Sequence, residues 1–365
     1  MSRPMWALTP LGVVAWVLSF FHAPEVLLFL LSAIGIIPLA ALIGKATEEA
    51  AYHVGSATGG LLNATFGNVP ELIIGIFALR AGLVTLTQAS IVGSVIGNAS
   101  LVLGMSLLYG GIVNGKMVFD RVEASHQAVL MVLTVASLAL PSLFVVTEPR
   151  GNVEELSLFV AALLIISYIA YVVYSIGGYR GGRGTSADDT FMAEEAEAVE
   201  ELIEEEGGPE WSLRTALIWL AAAMIAVSLA SDVLVASIKP VEETLHISQF
   251  FVGVIIIPIV GNVAEHYSAL TFAGKNKLDL TFGIAAGSSV QVALFVAPIL
   301  VVLSLIWHPM TLVFNPIEIT VLALVVAIFF FVAQDGESNW LEGLQLFMIY
   351  IMAAAVFFFI PGPIS

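Results

Sequence analysis

Two glutamates sit deep inside long apolar runs. Glu71 follows Asn68 by three residues in the stretch Gly67-Asn68-Val69-Pro70-Glu71, and Glu265 follows Asn262 by three in Gly261-Asn262-Val263-Ala264-Glu265. Each lies about halfway along its run, too far from either end for the side chain to reach water. An ionised carboxylate at such depth in a bilayer is costly, so it must be protonated, paired or turned to a wet cavity. On a continuous helix the three-residue spacing puts amide and carboxylate on one face. Pro70 brings no N–H and would leave the carbonyl of Phe66 unpaired, as Pro258 would that of Val254. Carboxylate, amide and backbone oxygens together suit a hard divalent cation, and Ca²⁺ accepts about six to eight oxygens in flexible geometry whereas Mg²⁺ is stricter. A pair of buried carboxylates is also neutralised by protons. A site that holds either Ca²⁺ or protons is an antiporter's site, and the expected metal ligands are Glu71, Glu265, Asn68, Asn262 and the carbonyls of Phe66 and Val254.

Further polar residues recur nearby. Ser94 and Asn98, and likewise Ser288 and Gln291, stand at spacings that keep each pair on one helical face. They are candidates for lining the cavity, by coordination or by orienting the glutamates, although small polar residues also join packed helices in lipid by hydrogen bonds alone. His266 adjoins Glu265, where Leu72 occupies the matching place beside Glu71. It is either a satisfied core histidine or a proton relay between solvent and the glutamates. Glu48 with Glu49, and Glu242 with Glu243, are candidate acids at two opposite mouths, where they either concentrate cations or serve as ordinary interfacial charges.

The elements that must position these groups follow from composition. Of 365 residues 59% are hydrophobic and 11% charged, too few charges to cover a water-soluble surface, which needs about 25%. Segments of about 20 apolar residues, the length that crosses a bilayer, fall near 6–21, 26–44, 59–80, 86–111, 126–147, 155–177, 212–237, 249–273, 279–307, 315–333 and 340–360. The spacing thus predicts an all-α polytopic membrane protein of about eleven spans. Lys and Arg are concentrated in the connections on the side of the N-terminus, which places that end in the cytoplasm and the C-terminus outside. The net charge of -17 is concentrated in a run of acids from Asp188 to Glu206, read as a cytoplasmic linker with a short amphipathic helix. With 12 Lys and Arg in no cluster there is no electrostatic basis for binding nucleic acid. The absence of cysteine excludes disulfides, thiolate metal sites and cysteine nucleophiles. The transported ions are cargo, and no cofactor is called for. A homo-oligomer is compatible with the sequence, and nothing in it sets the oligomeric state.

Sliding the chain against itself by 194 residues aligns Lys45, Glu48 and Glu49 with Lys239, Glu242 and Glu243, the Gly-Asn-Val-x-Glu stretches with each other, and Gly93-Ser94 with Gly287-Ser288. That shift spans five helices, an odd number, so the second copy crosses the membrane in the opposite sense. Inverted repeats recur in secondary transporters, with the substrate site at the repeat interface near the midplane. The expected organisation is a leading helix (1–22), a first five-helix repeat (23–177), the acidic linker (178–210) and a second five-helix repeat (211–365).

The segments GGLLNATFGNVPEL (Gly59 to Leu72) and GNVAEH (Gly261 to His266), with GSVIGN (Gly93 to Asn98) and GSSVQ (Gly287 to Gln291), resemble the paired motifs of the calcium/proton exchanger (CAX) family. The resemblance covers nearly the whole chain. It implies a shared cation and proton site at Glu71 and Glu265 with Asn68 and Asn262 beside them, antiport driven by a proton gradient, and a prokaryotic cytoplasmic membrane. Pro70 is a local departure that bears on the bend of its helix. A sodium/calcium exchanger shares the inverted-repeat plan but carries a hydroxyl pair where Asn68 stands. A passive cation channel would not need protonatable carboxylates in both repeats. An intramembrane hydrolase is disfavoured by the lack of HExxH and Gly-x-Ser-x-Gly motifs.

Overall fold

The computed structural model describes residues 3–54, 56–148, 151–177 and 208–360. Its helices, in chain order, are α1 (Arg3–Leu8), α2 (Leu11–Ser19), α3 (Glu25–Val54), α4 (Ser56–Phe66), α5 (Val69–Arg80), α6 (Val84–Asn114), α7 (Arg121–Thr147), α8 (Val153–Gly177), α9 (Leu213–Leu245), α10 (Gln249–Gly261), α11 (Val263–Gly274), α12 (Leu278–Ser304), α13 (Pro316–Ala333) and α14 (Trp340–Phe359). A two-residue strand β1 (Met117–Val118) pairs antiparallel with β2 (Glu337–Ser338). Polar residues set several helix starts: Asp120, Ser212, Asn315 and Asn339 each accept first-turn N–H groups that no intrahelical carbonyl can reach.

Eight of these helices are long and apolar enough to cross a bilayer, and α10 with α11 form a ninth crossing bent by 60°. The count of eleven unbroken spans is therefore not what the described residues show. The expected span 6–21 is divided into α1 and α2 at Thr9 and Pro10, where proline disfavours helix in the residue before it. The expected span 59–80 is divided into α4 and α5. The acidic run lies in 178–207, outside the described residues; its last neighbour, Glu210, pairs with Lys45 of α3. That ammonium holds the Glu210 carboxyl below the usual carboxylate range.

The repeat is visible in the backbone. The bounds of α5 and α11 differ by 194 at both ends, as do the starts of α6 and α12. Both α6 and α12 carry a π-helical segment at the corresponding depth, Gly97–Val102 and Val292–Val296. The two helices run antiparallel: the end of α6 reaches α11, where Asn114 Nδ2 donates to Ala273 O at 3.0 Å, while Gln88 near its start reaches the connection beyond α12. This is the inversion the odd helix count requires. Glycine and serine let α6 and α12 approach their neighbours closely: a Cβ on Gly93 would sit 2.1 Å from Val254 O. These two helices form the centre of the bundle, with 89% and 78% of their most apolar stretch buried, against 22–61% in the other single spans. The peripheral helices expose Leu133, Ile166, Phe331 and Phe359, side chains suited to acyl chains.

Candidate ion site at the helix breaks

Asn68 and Asn262 are not on the face of a continuous helix, as their spacing suggested; each is the residue at which a helix is interrupted. Their backbones (φ -90, ψ 10 and φ -96, ψ 23) leave the helical region, so α5 and α11 start anew one residue later. Pro70 then falls in the first turn of α5, where a missing N–H costs nothing. Glu71 and Glu265 likewise sit in first turns, where the positive end of the helix dipole favours a carboxylate. Phe66 ends α4, so its carbonyl is freed by the end of the helix rather than by a proline kink. Val254 is a correction: it lies in the π-helical segment of α10, well before the break, with its carbonyl against Gly93. The repeat counterpart of Phe66 is Val260, which the sequence reading passed over because Pro258 and Pro70 are not equivalent positions.

Each glutamate lies against the glycine at the other repeat's break. A Cβ on Gly261 would sit 2.9 Å from Glu71 Cδ and 3.1 Å from its Oε1; a Cβ on Gly67 would sit 3.2 Å from Glu265 Oε1. The two acids thus converge on one centre, and the glycines are there because a side chain would occupy the carboxylates' place. The asparagines cross between repeats in the same reciprocal way. Asn262 Nδ2 donates to Ser94 Oγ at 3.3 Å, and Ser288 Oγ donates to Asn68 Oδ1 at 3.4 Å. Asn98 Nδ2 donates to Ser288 Oγ at 2.9 Å, and Asn68 Nδ2 to Gln291 Oε1 at 2.6 Å. Asn98 stands in the first π-helical segment and Gln291 immediately before the second, an irregularity frequent at functional sites. The structure therefore joins Glu71, Glu265, Asn68, Asn262, Ser94, Asn98, Ser288 and Gln291 in one polar cluster.

Several acceptor oxygens of the cluster have no donor among the described residues. Glu71 is 4% exposed and neither of its carboxylate oxygens meets a hydrogen-bond donor; Asn98 Oδ1 and Asn262 Oδ1 are buried and equally unmet. The ion pairs Lys45 with Glu210 and Lys116 with Glu337 lie away from these oxygens. Acceptor oxygens gathered without donors, in a medium of low dielectric, call for a cation or for protons. His266 is half-buried beside Glu265. The pairs Glu48 with Glu49 and Glu242 with Glu243 lie outside the cluster, towards the ends of α3 and α9. Glu49 is buried and accepts the Trp211 N–H at 3.0 Å, and Glu242 accepts from Gln249 at 2.7 Å.

The sodium/calcium exchanger protein family matches residues 25–177 and 215–359. The Ca²⁺/H⁺ antiporter of Aphanothece halophytica is 40% identical over 351 residues, covering 94% of this chain and 92% of that one. The Ca²⁺/H⁺ antiporter ChaA of Bacillus subtilis is 38% identical over 361 residues, covering 98% and 99%. Among solved structures, native YfkE superposes with a TM-score of 0.81 at 35% identity, covering 98% of this chain and 100% of that one. The H⁺/Ca²⁺ exchanger CAX shares the fold, with a TM-score of 0.69 at 16% identity over 98% of this chain and 92% of that one. With its two inverted halves, its reciprocal helix breaks and these matches along nearly its whole length, the chain belongs to the sodium/calcium exchanger protein family, alongside members named for exchanging Ca²⁺ with protons.

Proposed function

We propose that this chain is a secondary transporter that exchanges Ca²⁺ for protons across a membrane by alternating access. The observation that carries the reading is the set of buried, unmet acceptor oxygens around Glu71, namely both of its carboxylate oxygens with Asn98 Oδ1 and Asn262 Oδ1. Glu71, Glu265, the side-chain oxygens of Asn68 and Asn262 and the carbonyl of Phe66 supply hard oxygen ligands to Ca²⁺, with Ser94, Asn98, Ser288 and Gln291 holding them in place. When Ca²⁺ leaves, two protons neutralise the carboxylates, because an empty pair of buried charges is the costliest state of the site. Exchange follows: the halves rock past each other with the site filled by one cargo or the other. His266 passes protons to Glu265 from its half-buried position. No cofactor takes part. The relatives from Aphanothece and Bacillus support a prokaryotic cytoplasmic membrane as the location, and the bias of basic residues supports an N-terminus in the cytoplasm and a C-terminus outside.

The family's description favours a second reading, exchange of Ca²⁺ for sodium. Purified protein in vesicles separates the two when internal Ca²⁺ and pH are followed together under a proton or a sodium gradient. Uptake driven by the proton gradient, with protons moving against Ca²⁺, is the expected result. Uptake driven by sodium with no proton movement overturns it in favour of sodium exchange, and uptake with no counter-gradient overturns it in favour of a channel.

A further inference from the structure

The connection after α12 contains an extended segment that is buried although it belongs to no sheet. Met310, Leu312 and Phe314 are 2%, 0% and 4% exposed. A buried extended backbone must find partners for its N–H and C=O groups, and here side chains of four helices provide them. Met310 N donates to Ser304 Oγ of α12 (2.8 Å), Leu312 N to Ser157 Oγ of α8 (3.0 Å) and Phe314 N to Ser142 Oγ of α7 (2.9 Å). Between them, Gln88 Nε2 of α6 donates to the carbonyls of Thr311 (2.7 Å) and Val313 (3.1 Å). The segment is thus a strap tied to both central helices, α6 and α12, at the face of the bundle opposite β1 and β2. Its counterpart in the first repeat, Lys116 to Asp120, is tied differently: β1 and β2 pair backbone to backbone, and Phe119 N donates to Gly336 O at 3.1 Å.

At the end of the strap stands Glu318, 3% exposed. One carboxylate oxygen accepts the Asn315 N–H at 2.7 Å, closing a capping box at the start of α13; the other is buried and meets no donor. No charge faces it. The helices packed on α13 are α6 and α7, and residues 84–102 of α6 and 134–147 of α7 contain no Asp, Glu, Lys, Arg or His, nor does 309–317 of the strap. Among the described residues, the titratable groups on the adjoining segments at this end are Glu148 after α7, Glu154 and Glu155 of α8 and His308, all exposed. Charge on Glu318 would be buried against an apolar surround, with one carboxylate oxygen unmet.

We propose that Glu318 is a proton-binding site separate from Glu71 and Glu265, and that the proton it takes seats the strap Met310–Phe314 across the outer ends of α6 and α12. Losing the proton favours the lifted strap, in which the carboxylate reaches water. The inference goes beyond the exchange reading and does not depend on which ion is carried.

The test uses the absence of cysteine: Leu312→Cys introduces a single thiol under the strap. Its labelling by a soluble maleimide is followed in nanodiscs from pH 6 to 9, with Glu318 present and with Glu318→Gln, whose amide oxygen keeps the cap but cannot ionise. Dividing one rate by the other removes the thiol's own titration. The expected ratio is near one at pH 6 and rises about tenfold by pH 9, as linkage of one proton to opening allows. A ratio flat across this range overturns the proposal. Amide hydrogen exchange at 310–314 in the cysteine-free protein, with Glu318 and with Gln, gives the same comparison should the thiol disturb the strap; equal protection at every pH overturns it as well.

Discussion

The first turn that follows the break at Asn68 is buried, whereas the first turn that follows the break at Asn262 is only half-buried. Asn68, Val69, Pro70 and Glu71 are all buried; at the second break Val263, Ala264, Glu265 and His266 are half-buried and Tyr267 is 68% exposed. Yet the groups that meet in the middle are the same in kind: a glycine, an asparagine and a glutamate from each repeat, with a serine from the helix that follows. The difference teaches where symmetry is required. Residues sharing the common centre are constrained by both halves at once, while those facing away answer only to their own surroundings. The two carboxylates therefore differ in access more than in chemistry, as suits a carrier whose centre has a wider approach from one side.

That comparison is broken most directly by removing one charge at a time. Glu71→Gln and Glu265→Gln should each lower proton-driven Ca²⁺ uptake in vesicles by about 100-fold or more, since either leaves one carboxylate to hold a divalent ion. If one variant kept normal uptake, the shared centre would be wrong. A smaller effect sharpens the contrast in packing. Gly261→Ala presses a methyl on Glu71 Cδ at 2.9 Å, within a fully buried break, and should cost about 1–3 kcal/mol in Ca²⁺ affinity or stability. Gly67→Ala meets the backbone oxygen of Asn63 at 2.9 Å and Glu265 Oε1 at 3.2 Å. It should cost at least as much in melting temperature, since a backbone oxygen yields less readily than a side chain; a clearly smaller loss would show that burial rather than the contacted atom ranks the two breaks. The smallest effect is expected at the hydroxyls. Ser94→Ala and Ser288→Ala each remove hydrogen bonds worth about 1 kcal/mol, and should change the apparent Ca²⁺ affinity by a few fold. Ser288 serves Asn68 and Asn98 while Ser94 serves Asn262, so Ser288→Ala should be the larger loss.

Much of the site was legible in the chain because intramembrane acids are rare and because the repeat writes each residue twice. Glu71, Glu265, Asn68, Asn262 and the two serines were all identified by the single offset. The misreading of Val254 came from treating Pro258 as the partner of Pro70, when proline in a first helical turn and proline inside a helix have different effects on the backbone. Gln88 and Glu318 left no such mark: neither has a polar counterpart in the other repeat, at Phe282 and Ala124.

The sequence by itself determined that the chain spans a membrane, that it is built from two copies inserted in opposite senses, and which acids lie at a depth where a carboxylate needs a proton, a cation or water. Those conclusions rest on local composition and spacing, which a single strand of text carries in full. Only the tertiary structure decided that the helices stop at Asn68 and Asn262, that each glutamate rests on the opposite glycine, and that Met310 to Phe314 is tied down by hydroxyls from distant helices. These are contacts between residues far apart in the chain, and they exist only once packing has brought the two halves face to face.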